Sequence, residues 1–282
     1  MMDTVHSVSI GNCGEEILNV SNLSVFRSGS KVIDEINLSI ACGEFVGIVG
    51  PNGGGKSTLI LTILGILKPK SGTVKIYNQS PLSKGVTGKV GWVPQTASKL
   101  PTNVHITVKE FITLGTLNVK SYFIPWRKER LKVKKIIEII GLEEYTNTRI
   151  THLSGGQRQR AAIGKALASD ADLILMDEPM VGVDRESRNS IMKLLDGLCH
   201  EQNKTIVMIS HDLTSIKQTV HRMIYLEEKI RFDGSTIDFP GLSELAKLRG
   251  IEPTHQETDF WETKDSENKD TIILVPGKDG EE

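Results

Sequence analysis

One stretch of eight residues restricts the fold of this 282-residue chain more than any other. It reads Gly50-Pro51-Asn52-Gly53-Gly54-Gly55-Lys56-Ser57 and fits the pattern G-x-x-x-x-G-K-[ST]. The apolar run at 44–49 before it is typical of a buried strand, and residues 56–67 after it have the length of a helix. A strand, a glycine-rich loop and a helix are the context in which this pattern binds phosphate. We call residues 50–57 the phosphate loop.

The phosphate loop offers several groups that bind an anion. Its glycines let consecutive backbone N–H groups turn toward phosphate oxygens, and the start of the following helix adds a positive dipole. Lys56 brings a mobile charge for the β- and γ-phosphates, Ser57 a hydroxyl ligand for Mg²⁺, and Thr58 a contact to the α-phosphate. The pattern predicts a nucleoside triphosphate site. The alternative is a flexible glycine turn with an incidental Lys-Ser pair.

A second chemical signal follows an apolar strand later in the chain. Leu173-Ile174-Leu175-Met176 reads as a core strand, and Asp177 and Glu178 stand at its carboxyl end, the edge at which such sheets bind ligands. We expect Asp177 to hold Mg²⁺ and Glu178 to orient and deprotonate the water that attacks the γ-phosphate. Taken alone, such a pair could also cap a surface helix. Its combination with the phosphate loop favours the catalytic interpretation.

The remaining pattern predicts an α/β fold whose strands alternate with helices around a parallel sheet. Alternation over 17–40 predicts an opening β-hairpin, and residues 220–234 predict a closing one. Between them we expect further strands and helices. The strands are predicted at 73–77, 89–93, 173–176 and 205–210, and the helices at 108–117, 127–140, 156–168, 187–200 and from 212.

One more motif indicates a family. Leu153-Ser154-Gly155-Gly156-Gln157 resembles the signature sequence of the nucleotide-binding subunits of ATP-binding-cassette (ABC) transporters, at the start of a predicted helix. The resemblance implies a P-loop ABC cassette: a RecA-like mixed sheet core, an antiparallel β subdomain and a helical signature subdomain. It also implies that these five residues reach the ATP of a second subunit, so that two cassettes form a homodimer.

Other residues match the motifs of the same family in order. Gln95 resembles the Q-loop glutamine that ligates Mg²⁺, and His211 resembles the switch histidine that contacts the γ-phosphate. Asp184 resembles the D-loop residue at the dimer contact. Met180 departs from the family, which usually has threonine there, but no catalytic group is lost. Phe26 is the expected adenine-stacking residue, in a register that the sequence alone does not fix.

Charge and length suggest three regions. The last 29 residues carry nine acidic side chains against three lysines, a net of −6, which leaves +5 for the rest of a chain whose formal charge is −1. The charge separates only an acidic tail, whereas the resemblance covers roughly residues 17 to 235 and implies the domain itself. Together they lead us to expect an N-terminal extension at 1–16, an ABC ATP-binding domain at 17–240 with a helical subdomain at about 97–165, and an acidic C-terminal extension at 241–282. A near-neutral total argues against a chromatin-type basic protein.

The resemblance implies an ATPase that uses ATP and Mg²⁺ and powers import by a separate permease. We expect neither a membrane span nor a secretory signal in the chain, which places it at the cytoplasmic face of the cell membrane as a peripheral subunit. Short phrases around Gln95 and Asp184 look similar to zinc- and manganese-type importer ATPases, so the cargo is expected to be a divalent metal ion or a metal chelate. A substrate-binding protein is an indirect partner.

The rival interpretation is a soluble ATP-gated clamp of the ABC type that acts on nucleic acid or ribosomes. Such proteins usually carry a long coiled-coil insertion or two cassettes in one chain, and neither is visible in this sequence. A basic nucleic-acid face is not evident either, so no nucleic-acid partner is expected.

Overall fold

A computed structural model describes residues 15–96, 105–117 and 126–241. Residues 1–14, 97–104, 118–125 and 242–282 lie outside the described residues, and with them most of both predicted extensions and parts of the predicted helical subdomain. The chain separates into two compact units, Met1–Phe239 and Pro240–Glu282.

The described elements alternate between strands and helices. The strands are β1 Glu16–Arg27, β2 Ser30–Ala41, β3 Phe45–Val49, β4 Ser71–Ile76, β5 Val90–Val93, β6 Leu173–Asp177, β7 Thr205–Ile209, β8 Arg222–Glu227 and β9 Lys229–Ser235. The helices are α1 Lys56–Ile63, α2 Val108–Thr113, α3 Trp126–Ile139, α4 Gly155–Ala168, α5 Arg185–Gln202 and α6 Leu213–Lys217.

The central sheet has six strands in the order β5-β6-β7-β3-β8-β9. All neighbours run parallel except β8 and β9, which form the predicted closing hairpin. Every residue of β3 and of β7 is buried, as expected for strands that are covered on both faces. Their continuous apolar sequences are the reason that they read as core strands.

A second sheet of three antiparallel strands, β2-β1-β4, contains the predicted opening hairpin. Its pairing is irregular, with several register shifts between β1 and β2. Its apolar face joins the same hydrophobic core as β3 and α1, through fully buried residues such as Leu23 and Ile33. The predicted antiparallel β subdomain is therefore confirmed.

The helices α2, α3 and α4 pack on one another and form the helical part of the fold. Gly164 on α4 allows a close approach, because a Cβ there would lie 2.7 Å from Ile140 Cδ1 and 3.3 Å from Ile112 Cδ1. Lys132 Nζ on α3 donates to the Ala168 carbonyl at the end of α4, at 2.6 Å. This packing confirms the predicted α/β class with a helical subdomain.

Two predicted helices end earlier than their apolar patterns suggested. The helix predicted at 56–67 ends at Ile63, since Gly65 has a left-handed φ of +74° and turns the chain. The helix predicted at 108–117 ends at Thr113 and continues as a single 3₁₀ turn at Leu114–Thr116. None of the helices in the described part of the chain combines the length and hydropathy that a membrane crossing needs.

The depth of the core predicts a large difference between two identical substitutions. Leu175 on β6 is fully buried, whereas Leu131 on α3 is 61% exposed. We expect Leu175→Ala to lower the free energy of unfolding by about 2–5 kcal/mol, because it leaves a cavity in a packed core. Leu131→Ala should cost less than about 1 kcal/mol. Thermal and urea unfolding of the two variants measure the difference, and equal losses would contradict the difference in burial.

Candidate active site

The phosphate loop connects the end of β3 to the start of α1, as predicted. Three of its glycines adopt backbone conformations that are costly for a residue with a side chain: Gly50 has a φ of +146°, Gly53 of +82° and Gly55 of +94°. A Cβ on Gly50 would also lie 2.1 Å from the Leu226 carbonyl oxygen, and one on Gly55 would lie 2.7 Å from the Val32 carbonyl oxygen. The glycines are required because backbone from two other strands approaches the loop closely.

Lys56 begins α1 and folds back over the loop. Its Nζ donates to the carbonyl oxygens of Gly50 at 2.9 Å and of Pro51 at 2.8 Å. Burial lowers the pKa of this ammonium group, and the nearby carboxylates of Glu178 and Asp177 oppose that shift. A cation held against this loop at the start of a helix is suited to the terminal phosphates of a nucleotide.

Ser57 and Asp177 meet where α1 faces the end of β6. The Ser57 hydroxyl donates to Asp177 Oδ1 at 3.2 Å. Burial raises the pKa of Asp177, while the hydrogen bond from Ser57 lowers it and the charge of Glu178 raises it further. A half-buried carboxylate beside a second carboxylate is a place where a cation would relieve an electrostatic cost.

Glu178 lies at a turn directly after β6. Its φ is +47°, a left-handed conformation that is costly for a residue with a Cβ, and its backbone N–H donates to the Ile209 carbonyl at 3.1 Å. Its Oε2 accepts a hydrogen bond from Gln95 Nε2 at 2.8 Å and lies 3.6 Å from His211 Nδ1. Two side chains that follow other strands, Gln95 after β5 and His211 after β7, therefore converge on the carboxylate of Glu178.

The structure adds two residues that the sequence analysis missed. Arg188 on α5 forms a hydrogen-bonded ion pair with Asp212, and its other nitrogen Nη2 donates to the Val183 carbonyl at 3.3 Å. Both residues line a cavity of about 160 Å³ together with Glu178 and His211. Arg188 thereby fixes the turn that carries His211. The sequence gives one signal for this contact, the Asp beside the predicted His.

The five signature residues stand at the start of α4. Ser154 caps the helix reciprocally with Gln157: the Gln157 N–H donates to Ser154 Oγ at 3.2 Å, and the Ser154 N–H donates to Gln157 Oε1 at 2.9 Å. A Cβ on Gly155 would lie 3.0 Å from the Gly182 carbonyl oxygen, and one on Gly156 would lie 2.5 Å from Ser187 Cβ. The two glycines thus permit contact with the segment before α5 and with its first turn.

Asp184 caps α5 by accepting a hydrogen bond from the Ser187 N–H at 2.8 Å. That bond lowers the pKa of the Asp184 carboxyl. Met180 is buried and lines the cavity beside Glu178, so the residue that departs from the family pattern packs next to the site.

Phe26 lies near the tip of the opening hairpin, where it pairs with Lys31 across the two strands. Its side chain is 46% exposed, and Lys31 Nζ is 6.0 Å from its ring centroid. Val32, the next residue on β2, is the one whose carbonyl approaches Gly55. The residue that follows Phe26's pairing partner on β2 is therefore in contact with the phosphate loop.

Apart from Phe26, the predicted site residues fall into two groups. One group is the phosphate loop together with the residues at the neighbouring strand ends: Gly50, Pro51, Asn52, Gly53, Gly54, Gly55, Lys56, Ser57, Thr58, Gln95, Asp177, Glu178 and His211. The other group is the signature, Leu153, Ser154, Gly155, Gly156 and Gln157, next to Asp184. Among the described residues, no hydrogen bond or ion pair joins the signature to the phosphate loop. The arrangement can bind a triphosphate at one place and presents a second helix start elsewhere.

Comparisons with known proteins agree with this geometry. Residues 33–181 match the family model described as ABC transporter. The ATP-binding protein ZnuC of a high-affinity zinc uptake system from Bacillus subtilis is 37% identical over 212 residues, which cover 75% of this chain and 91% of that protein. The ATP-binding protein MntB of a manganese transport system from Halalkalibacterium halodurans is 34% identical, with 79% of this chain and 87% of that protein covered.

A solved structure is similar as well. It is a dimeric ATP-binding cassette in a post-hydrolysis state with bound ADP and Pi, and it superposes with a TM-score of 0.67 at 29% identity. The superposition covers 79% of this chain and all of that one.

The contact between α4 and α5 predicts a specific rescue. Gly156→Ala would place a methyl group against Ser187, and we expect it to lower the free energy of unfolding by about 1–3 kcal/mol. Adding Ser187→Gly removes both atoms that the methyl group meets, so the double variant should recover part of this loss, whereas Ser187→Ala leaves the Cβ in place and should not. A double-mutant cycle from thermal unfolding measures the coupling.

Gly197 is the control for this experiment, since it lies within α5 and a Cβ there would meet nothing within 4 Å. Gly197→Ala should raise the free energy of unfolding by about 0.5–1 kcal/mol. Additive effects of Gly156→Ala and Ser187→Gly would contradict the contact.

Proposed function

This chain belongs to the ABC transporter family, and from that premise we propose that it is the ATP-binding and ATP-hydrolysing subunit of an importer that takes up a divalent metal ion. The observation that carries the proposal is the placement of Glu178. Its carboxylate lies beside the phosphate loop and contacts both Gln95 and His211. That is the arrangement that hydrolysis of a bound triphosphate requires, with a base next to the terminal phosphate.

In the proposed mechanism, the phosphate loop holds the triphosphate through its backbone N–H groups and through Lys56. Binding of phosphate gives the Lys56 ammonium group an anionic partner in place of the carbonyls of Gly50 and Pro51. Phe26 stacks on the adenine. Glu178 accepts the proton of the attacking water, while His211 contacts the γ-phosphate and orients that water.

The residues at the end of β6 fit a Mg²⁺ ion that accompanies the nucleotide. Ser57 and Asp177 present oxygen atoms to the same place, and the carboxylate is partly buried, which favours a hard cation with oxygen ligands. Gln95 offers its side-chain carbonyl oxygen while its amide nitrogen bonds to Glu178. When bound, Mg²⁺ would neutralise charge that develops on the phosphate oxygens.

The signature supports a dimer of two copies of this chain. Ser154 is exposed at a helix start, and the described residues offer it no contact with the phosphate loop of the same chain. We propose that Leu153, Ser154, Gly155, Gly156 and Gln157 bind the γ-phosphate of ATP in the partner subunit and that Asp184 lies at the contact. ATP then closes the dimer and hydrolysis reopens it.

Zinc or manganese import is the proposed role of this motion, because the similar proteins described above serve zinc and manganese systems. The chain would dock as a peripheral subunit on a permease at the cytoplasmic face of the membrane, and a substrate-binding protein would deliver the cargo. Within the chain we propose residues 17–240 as the ATP-binding domain, with the acidic extension at 241–282 outside it.

Removing the proposed base should block ATP hydrolysis but not ATP binding. We expect Glu178→Gln to bind ATP as the wild type does and to lower the rate of ATP hydrolysis by about 100-fold or more, because the amide cannot accept the proton. The variant should accumulate as a dimer in ATP and Mg²⁺, measured by size-exclusion chromatography with light scattering. Phosphate release measures turnover.

The matched control is Glu144→Gln, an identical change at an exposed residue that belongs to none of the site motifs. It should hydrolyse ATP at the wild-type rate. Hydrolysis by Glu178→Gln at the wild-type rate would overturn the role of Glu178.

The transport role has its own test. In cells that lack this chain, uptake of radiolabelled Zn²⁺ or Mn²⁺ should be restored by the wild type and not by Glu178→Gln. Co-purification with a polytopic membrane subunit is expected from solubilised membranes. Restored uptake of neither ion, together with co-purification of nucleic acid, would favour the ATP-gated clamp instead.

A further inference from the structure

Three side chains that could ligate a metal ion meet far from the nucleotide site. Asp196 and His200 lie one turn apart on α5, and His221 directly precedes β8. The position of this cluster follows from β3. The His221 N–H donates to the carbonyl oxygen of Phe45, the first residue of β3, at 2.9 Å, whereas the phosphate loop follows Val49, the last residue of β3. The cluster therefore lies at the amino ends of the parallel strands, whereas Glu178 lies at their carboxyl ends.

The distances within the cluster match those of a tetrahedral metal site. The Nε2 atoms of His200 and His221 are 3.3 Å apart, and Asp196 Oδ1 lies 3.3 Å from His200 Nε2 and 3.9 Å from His221 Nε2. With metal–ligand bonds of about 2.0–2.1 Å, neighbouring ligand atoms of tetrahedral zinc are about 3.4 Å apart. The three atoms can therefore occupy three corners of a tetrahedron with a Zn²⁺-sized ion at its centre.

The surrounding elements hold these side chains in place. Asp196 and His200 share one face of α5, and His200 is in the last turn of that helix, where the negative end of the helix dipole favours a cation. The His221 ring stands edge-on to Phe45, at 87° with a centroid distance of 6.4 Å. The ring orientation therefore depends on a fully buried aromatic residue as well as on the backbone.

The protons of the two rings can be followed. His221 Nδ1 accepts a long hydrogen bond from the Phe45 N–H, at 3.3 Å, so the neutral His221 ring carries its proton on Nε2 and directs it at His200 Nε2. A cation that binds both Nε2 atoms takes the place of this proton, which moves to Nδ1. Nδ1 then carries a proton and no longer accepts from the Phe45 N–H, so metal binding costs that 3.3 Å hydrogen bond and requires the ring to turn away from the Phe45 N–H.

We propose that Asp196, His200 and His221 form a binding site for a divalent transition metal ion of the Zn²⁺ type. Two imidazoles and one carboxylate favour such ions over Mg²⁺ and Ca²⁺, which prefer oxygen ligands alone. The side chains are 43%, 63% and 38% exposed in that order, so the fourth position is open to water and the ion exchanges with solution. The site stands independently of the proposed transport function.

The test is metal binding by the full-length chain, with any affinity tag removed and without nucleotide. After treatment with a chelator, the protein is titrated with Zn²⁺ by calorimetry and with Co²⁺ by visible absorption, in excess Mg²⁺. We expect one ion per chain that is lost, or bound at least tenfold more weakly, in His200→Gln and in Asp196→Asn. The Co²⁺ spectrum of the wild type should show the bands of a nitrogen-ligated tetrahedral ion, and both variants should lose them.

The matched control is His105→Gln, an identical change at an exposed histidine outside the cluster, which should bind as the wild type does. Equal unfolding temperatures of all variants in chelator establish that each is folded, and two independent ligand variants guard against the failure of one. Zn²⁺ binding that is the same in the wild type, His200→Gln and Asp196→Asn would overturn the proposal. So would a wild type that binds no Zn²⁺, since the three groups would then only share a proton.

Discussion

The parallel alignment of β5, β6, β7 and β3 is the constraint on which the candidate site depends. Because neighbouring parallel strands run in register, their carboxyl ends reach one edge of the sheet, and Asp177 pairs with Ile209 at that edge. Gln95, Glu178 and His211 each follow a different strand by one or two residues. The strand pairing by itself brings these three side chains together, although they are far apart in sequence.

The first turn of α5 connects parts of the protein that are far apart in sequence. Asp184 caps it, Ser187 meets Gly156 of the signature helix, and Arg188 pairs with Asp212 beside His211. A displacement of the signature would therefore reach the turn that carries His211 through one rigid helical turn. In a proposed dimer, this is a physical path by which contact with the partner's nucleotide acts on the subunit's own site.

Much of this could be predicted from the sequence because the signals are local. The phosphate loop, the apolar strand before Asp177 and the signature can each be recognised from about ten consecutive residues. The fold class predicted from them is confirmed. What depends on distant partners could not be predicted. The pair Arg188–Asp212 joins residues 24 apart, and His221 reaches His200 only through the arrangement of the sheet. The early end of α1 is different, because its signal, Gly65, is local and the apolar pattern extended past it.

The strand β3 has a consequence for how chains of this kind can change in length. It has five residues, roughly 16 Å at about 3.3 Å per residue, and all of them are buried. One inserted residue would move the phosphate loop by about 3.3 Å relative to Asp177 and turn every following side chain to the other face. The hairpin of β1 and β2 already contains register shifts that can absorb such an insertion. Insertions and deletions should therefore accumulate in the small sheet and be eliminated from β3, even where substitutions are tolerated.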